Sequence, residues 1–120
     1  MLQKKYRLKN RKAFNATYKI GNSYHKGGIT LFCGKIKTEA QQHFPTKIGF
    51  VVSKKINKRA VKRNRIKRLM RESMRLHIKS VGENFDTKYI SMIFVSSSKL
   101  LDKNFNYIKN NINELMEKVK

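Results

Sequence analysis

The side chains here with the types and spacing to do chemistry are cations. Between Lys54 and Arg71, ten of eighteen residues are Lys or Arg and none is acidic, a density of positive charge whose natural partner is a polyphosphate. Six of the eight Arg residues lie between Arg59 and Arg75, where planar guanidinium groups can grip phosphate oxygens two at a time or stack on bases. The groupings that make and break covalent bonds are missing. A metal-dependent nuclease needs clustered carboxylates, but the seven acidic residues are scattered, and the pairs Glu83 with Asp86 and Glu114 with Glu117 read as loop and helix-surface charges. His25, His43 and His77 are far apart and Cys33 has no second thiol, so no zinc site is expected. Gly27-Gly28 is followed by no Gly-Lys-Ser/Thr motif, and reads as a turn instead of a phosphate loop.

Local patterns predict the elements that must carry these cations. Inside the basic run, Ile66, Leu69, Met70, Ser73 and His77 keep helical spacing, which predicts a helix from about Lys58 to Ser80, ended by Gly82. A short helix, Arg11 to Lys19, is capped by Asn10 and stopped by Gly21. Strands are expected at Ile29 to Lys37 and Lys47 to Ser53, joined as an antiparallel pair by a polar loop from Thr38 to Pro45. Lys88 to Val95 is apolar enough for a central strand covered on both faces. Asp102 is the expected cap of a last helix carrying Phe105, Ile108, Ile112, Leu115, Met116 and Val119 on one face. The residues thus give helix, strand, strand, helix, strand, helix: an α+β sandwich in which residues 1–120 form a single domain.

Composition narrows the partner and the compartment. The net charge of +22 repels itself, so marginal stability is expected at low salt until a polyanion neutralises it. Residues 1–71 hold 21 basic side chains against one acidic, Glu39, and are expected to form the binding surface. A lone cysteine suits a reducing cytoplasm, and the longest apolar run, Ile48 to Val52, is far too short for a membrane span or a signal peptide. The basic helix lies between two strands, the wrong context for a helix-turn-helix, which favours RNA over DNA. Phe14, Tyr18 and Phe32 lie in the basic half; by themselves they read as core aromatics, with a stacking floor for unpaired nucleotides as the alternative.

Arg63-Asn64-Arg65-Ile66-Lys67-Arg68, preceded by Ala60-Val61 and followed by Arg71, resembles the RNR signature of the protein subunit of bacterial ribonuclease P. Arg7-Leu8-Lys9 with Phe14, and Gly49 to Lys55 on the strand before the signature, agree with it. The one departure is Asn57-Lys58-Arg59, which stands where that family usually has a glycine before the Ala-Val pair. The resemblance implies an α-β-β-β-α-β-α two-layer sandwich of the ribosomal protein S5 domain 2-like type, with an unusual left-handed β-α-β crossover around the RNR helix. It also implies the function: one protein per catalytic RNA, with the reaction centre in the RNA and Mg2+ held mainly by the RNA. The protein would assist removal of the 5′ leader of precursor tRNA. By position, Arg63, Asn64, Arg65, Lys67, Arg68 and Arg71 would contact the catalytic RNA, supported by Arg59 and Lys62, with Arg65 or Arg68 expected on the helix flank. Phe14, Tyr18 and Phe32 would hold the leader, which reverses the preference for plain core. The alternatives are a basic structural protein of ribosomal type and a protein-only nuclease, and the scattered carboxylates argue against the latter.

Overall fold

Helix α1 (Arg11–Ile20) forms where its caps dictate: the Asn10 side chain accepts a hydrogen bond from the Lys12 N–H at 2.8 Å, and Gly21 ends it at φ 78°. This computed structural model describes residues 2–53, 55, 59–82 and 85–119. The expectations about Lys54, Glu83 and the Asn57-Lys58 part of the turn before the signature fall outside those residues. Four strands follow, β1 (Asn22–Lys26), β2 (Ile29–Cys33), β3 (Lys47–Val52) and β4 (Ser91–Ser96). Helix α2 (Ala60–Val81) connects β3 to β4, and α3 (Phe105–Lys118) closes the chain.

The strands form one sheet in the order β1-β2-β4-β3, antiparallel except for the parallel β3–β4 pair that α2 joins. Three strands therefore precede the basic helix, where the local patterns showed two. Strand β1, Asn-Ser-Tyr-His-Lys, escaped them because it is an edge strand, exposed except for half-buried Tyr24, and has no apolar alternation. It turns into β2 through Gly27 and Gly28, whose φ values of 58° and 92° suit a two-residue hairpin.

Two expectations are corrected. Strands β2 and β3 run in opposite directions but do not pair, because β4 lies between them. Met92, Ile93 and Phe94 are fully buried, so β4 needs a slot covered on both faces, and the connection between β2 and β3 passes beyond its start. Asp102 does not cap α3 either: it ends a short turn, Ser98–Asp102, and Asn104 caps the helix by accepting the Tyr107 N–H at 2.9 Å.

Alternation along the strands sorts their side chains into two layers. Leu31, Cys33, Ile48, Val52, Met92 and Phe94 pack with Ile66, Met70 and Met74 of α2 and Ile108, Ile112 and Leu115 of α3. Each such side chain contributes about 1.5–3 kcal/mol by leaving water. Cys33 is fully buried there, and burial pushes its thiol up to about 11, so it stays neutral and unreactive at neutral pH. The alternate residues, Phe32, Gly49 and Ile93, face α1, which is held to β4 by the buried hydroxyls of Thr17 and Ser91, 2.5 Å apart. Since the Thr17 hydroxyl donates to the Ala13 carbonyl, that of Ser91 is the donor in the pair.

A partly buried ion pair joins the segments ahead of β3 and β4. Lys37, only 5% exposed, donates to the Asp86 carboxylate, which also accepts the Thr87 N–H at 2.9 Å. Nearby the Thr46 hydroxyl donates to the Tyr89 carbonyl. Asp86→Ala is expected to cost about 2–3 kcal/mol, less than the roughly 3–5 of a fully buried pair because Asp86 is half-exposed, since it strands a buried ammonium. Lys37→Met should cost less, because the carboxylate left behind can be hydrated. Denaturant unfolding of both variants at one salt concentration checks the order.

Candidate nucleic-acid interface

Burial divides α2 into a dry face and a wet one. Ile66, Met70, Ser73 and Met74 are buried against the core. Asn64, Arg68 and Arg71, spaced i, i+4 and i+7, are exposed on the opposite side. Arg59, Lys62 and Arg65 are exposed as well, while Arg63 and Lys67 are half-buried. Arg65 is the flank residue: its guanidinium donates to the Lys103 carbonyl at 3.0 Å, tying α2 to the segment before α3. Arg68 lies on the wet face.

Two further features favour anions at this helix. Its N-cap residue, Arg59, makes no side-chain capping bond, and the first turn holds no acidic residue, so the positive end of the helix dipole adds to the basic side chains around it. The sole acidic residue of α2, Glu72, is engaged by the Arg75 guanidinium, whose hydrogen bonds hold its carboxyl below the usual range and leave the wet face cationic.

The three aromatics lie on the other face of the sheet, and α1 brings them to it. The Phe14 ring lies directly over Gly49 of β3, where a Cβ would come within 2.6 Å of the ring carbons. At the other end of α1, Tyr18 meets Phe32 of β2 edge to face, with ring centroids 5.0 Å apart. Burial raises the Tyr18 phenol above its ordinary pKa, so it is neutral at physiological pH. All three rings are half-buried, and beyond α1 the same sheet face carries His25, Thr30, Val51 and Val95. The result is a groove floored by apolar and aromatic groups. The local patterns did not single out Gly49 as a site residue; its signal was strand parity, which puts a residue without a side chain under Phe14.

The described residues bring together no group of three His, Cys, Asp or Glu side chains able to hold a metal ion. No helix among them is long and apolar enough to cross a membrane.

Comparison with known proteins matches this architecture to one family. A sequence model of the family described as Ribonuclease P matches residues 2–120. The ribonuclease P protein component of a Synechococcus strain is 30% identical over 118 residues, covering 98% of this chain and 84% of that protein. That of Fusobacterium nucleatum is 40% identical over 79 residues, 66% of each. Among solved structures, the Staphylococcus aureus RNase P protein superposes with a TM-score of 0.74 at 25% identity, covering 96% of this chain and 95% of that one. The Thermotoga maritima RNase P protein, at 22% identity, shares the fold with a TM-score of 0.74 over 95% of this chain and 97% of its own.

Proposed function

We infer the function from the premise that this chain belongs to the ribonuclease P family: it is a protein component of that endoribonuclease, a tRNA-processing ribonucleoprotein, with ribonuclease P RNA as its partner. The cutting centre belongs to the RNA, and the chain is a binding subunit. We assign the wet face of α2 to the catalytic RNA, through Asn64, Arg68 and Arg71, with Arg59, Lys62, Arg63, Arg65 and Lys67 at its margins. We assign the groove beside α1 to the unpaired 5′ leader of precursor tRNA, with bases stacked on Phe14, Tyr18 and Phe32.

One observation carries this reading: the cationic helix and the aromatic groove occupy opposite faces of one four-stranded sheet. A sheet so equipped can hold two RNA segments at once. Two polyanions resist close approach, and cations between them lower that repulsion. The chain thereby orients the leader relative to the catalytic RNA and raises substrate affinity. Magnesium, held mainly by the RNA, supplies water activation when bound. One protein per RNA and a cytoplasmic location complete the reading.

Cleavage of a 5′-extended precursor tRNA by bacterial ribonuclease P RNA at low magnesium tests it. The expected outcome is efficient cleavage with protein and RNA together and none from the protein alone. Cleavage by the protein alone, or no effect of adding it to the RNA, would overturn the proposal.

A further inference from the structure

Helix α1 buries a single residue, and that residue is polar. Thr17 is fully buried, while Phe14 and Tyr18, three positions before it and one after it, are half-buried. Its hydroxyl meets that of Ser91 on β4, itself only 7% exposed, at 2.5 Å. Gly34, just after β2, leaves the room for this contact, since a Cβ there would come within 2.5 Å of the Ser91 hydroxyl. The two oxygens have different roles. Thr17 donates its proton to the Ala13 carbonyl at 2.8 Å, so Ser91 donates to Thr17. Hydrogen-bonded hydroxyl oxygens stand about 2.5–3.0 Å apart and carbons in contact about 3.5–4.0 Å. The pair therefore holds α1 about 1 Å nearer to β4 than an apolar contact at the same place would.

We infer that Thr17 and Ser91 are positioning residues for the leader: they touch no RNA, but their hydrogen bond sets the height and rotation of α1 over the sheet and with them the place of the Phe14 and Tyr18 rings. The inference rests on the assignment of the groove to the leader. Burial alone gives no reason for two hydroxyls here, because an apolar pair would bury as well without polar groups to satisfy. What the hydroxyls add is direction, since a hydrogen bond fixes one distance and angle where an apolar contact tolerates several. Thr17 shares its helix face with both rings, so any shift of Thr17 carries them with it. Phe14 lies directly over Gly49, and Tyr18 meets Phe32 with centroids 5.0 Å apart; a helix lifted by about 1 Å would loosen both contacts at once. Misplacement on that scale costs up to about 100-fold where reacting groups must be aligned, and less for stacking, because a flexible strand can follow the rings part of the way.

Holoenzymes carrying Thr17→Val, Ser91→Ala, both together, or Thr17→Ser provide the test. Affinity for precursor and mature tRNA is measured at protein concentrations that keep the complex assembled, beside denaturant unfolding of the free proteins. Thr17→Val leaves the buried Ser91 proton without its acceptor and should lower the unfolding midpoint most. Ser91→Ala leaves Thr17 bonded to Ala13 and should lower it less. The double variant strands no donor, so its midpoint should recover much of the Thr17→Val loss. Precursor affinity should follow a different order, falling about fivefold to tenfold in all three variants while mature tRNA binds as before. Thr17→Ser keeps the hydroxyl and should keep precursor affinity near wild type despite its lost methyl. Precursor affinity that recovers with stability in the double variant would overturn the inference and make the pair an ordinary packing contact. Unchanged precursor affinity in every variant, or equal losses for precursor and mature tRNA, would overturn it too. A wild-type holoenzyme that binds precursor and mature tRNA alike would overturn the groove assignment and the inference together.

Discussion

Replacing Arg68 and Arg71 together by alanine is expected to weaken assembly with ribonuclease P RNA by roughly 100-fold or more, without loosening the protein. Hydrogen bonds to charged groups are each worth about 1.5–3 kcal/mol, and each 1.4 kcal/mol is a factor of ten; solvent at an exposed face draws the pair towards the lower end. Both side chains lie on the wet face with no part in the core, so the denaturation midpoint of the free protein should stay where it is. The dependence of log affinity on log salt should flatten by about two, one for each phosphate that no longer meets a guanidinium. Arg65→Ala should behave differently, lowering stability as well, because Arg65 also holds the Lys103 carbonyl. Filter binding across a salt series, beside denaturant unfolding, separates the two; full assembly by the double variant would remove the wet face from RNA binding.

The second large effect is expected on the opposite face of the sheet. Phe14→Ala with Tyr18→Ala should weaken holoenzyme binding of precursor tRNA by roughly 30-fold or more, at about 1–3 kcal/mol for each of two bases that lose their rings, while mature tRNA binds as before. Tyr18 also packs on Phe32, so the double variant loses stability and must be assayed at a protein concentration that keeps the complex assembled. Gly49→Ala reaches the same ring from below: the added methyl would stand 2.6 Å from Phe14 and must tilt it, at a strain of about 1–3 kcal/mol. A selective loss for precursor tRNA in both variants identifies the groove as the leader site. Equal loss for precursor and mature tRNA would return these aromatics to the role of core packing.

Both effects follow from groups whose type was plain in the chain but whose arrangement was not. The density of cations between Lys54 and Arg71 and their helical interleaving with Ile66 and Met70 are one-dimensional facts, and they already pointed to a polyanion as partner. The caps at Asn10 and Gly21 are local, and so they appear where expected. Strand β1 was invisible because an edge strand buries little and needs no apolar pattern, and the slot of β4 between β2 and β3 was decided by which strand most needed cover on both faces. The cap of α3 moved from Asp102 to Asn104 because a short turn consumed the intervening residues.

By itself, then, the sequence determined that this protein is a small basic α+β domain with one cationic helix, since charge density and helical periodicity depend only on neighbours along the chain. Tertiary structure decided which members of the signature are wet, that Phe14 lies over a glycine and Tyr18 against Phe32, and that groove and helix back onto opposite faces of one sheet. Those arrangements join residues far apart in the chain. They exist only after strand order and parity are chosen, and that choice is made by burying the apolar faces of all the elements at once.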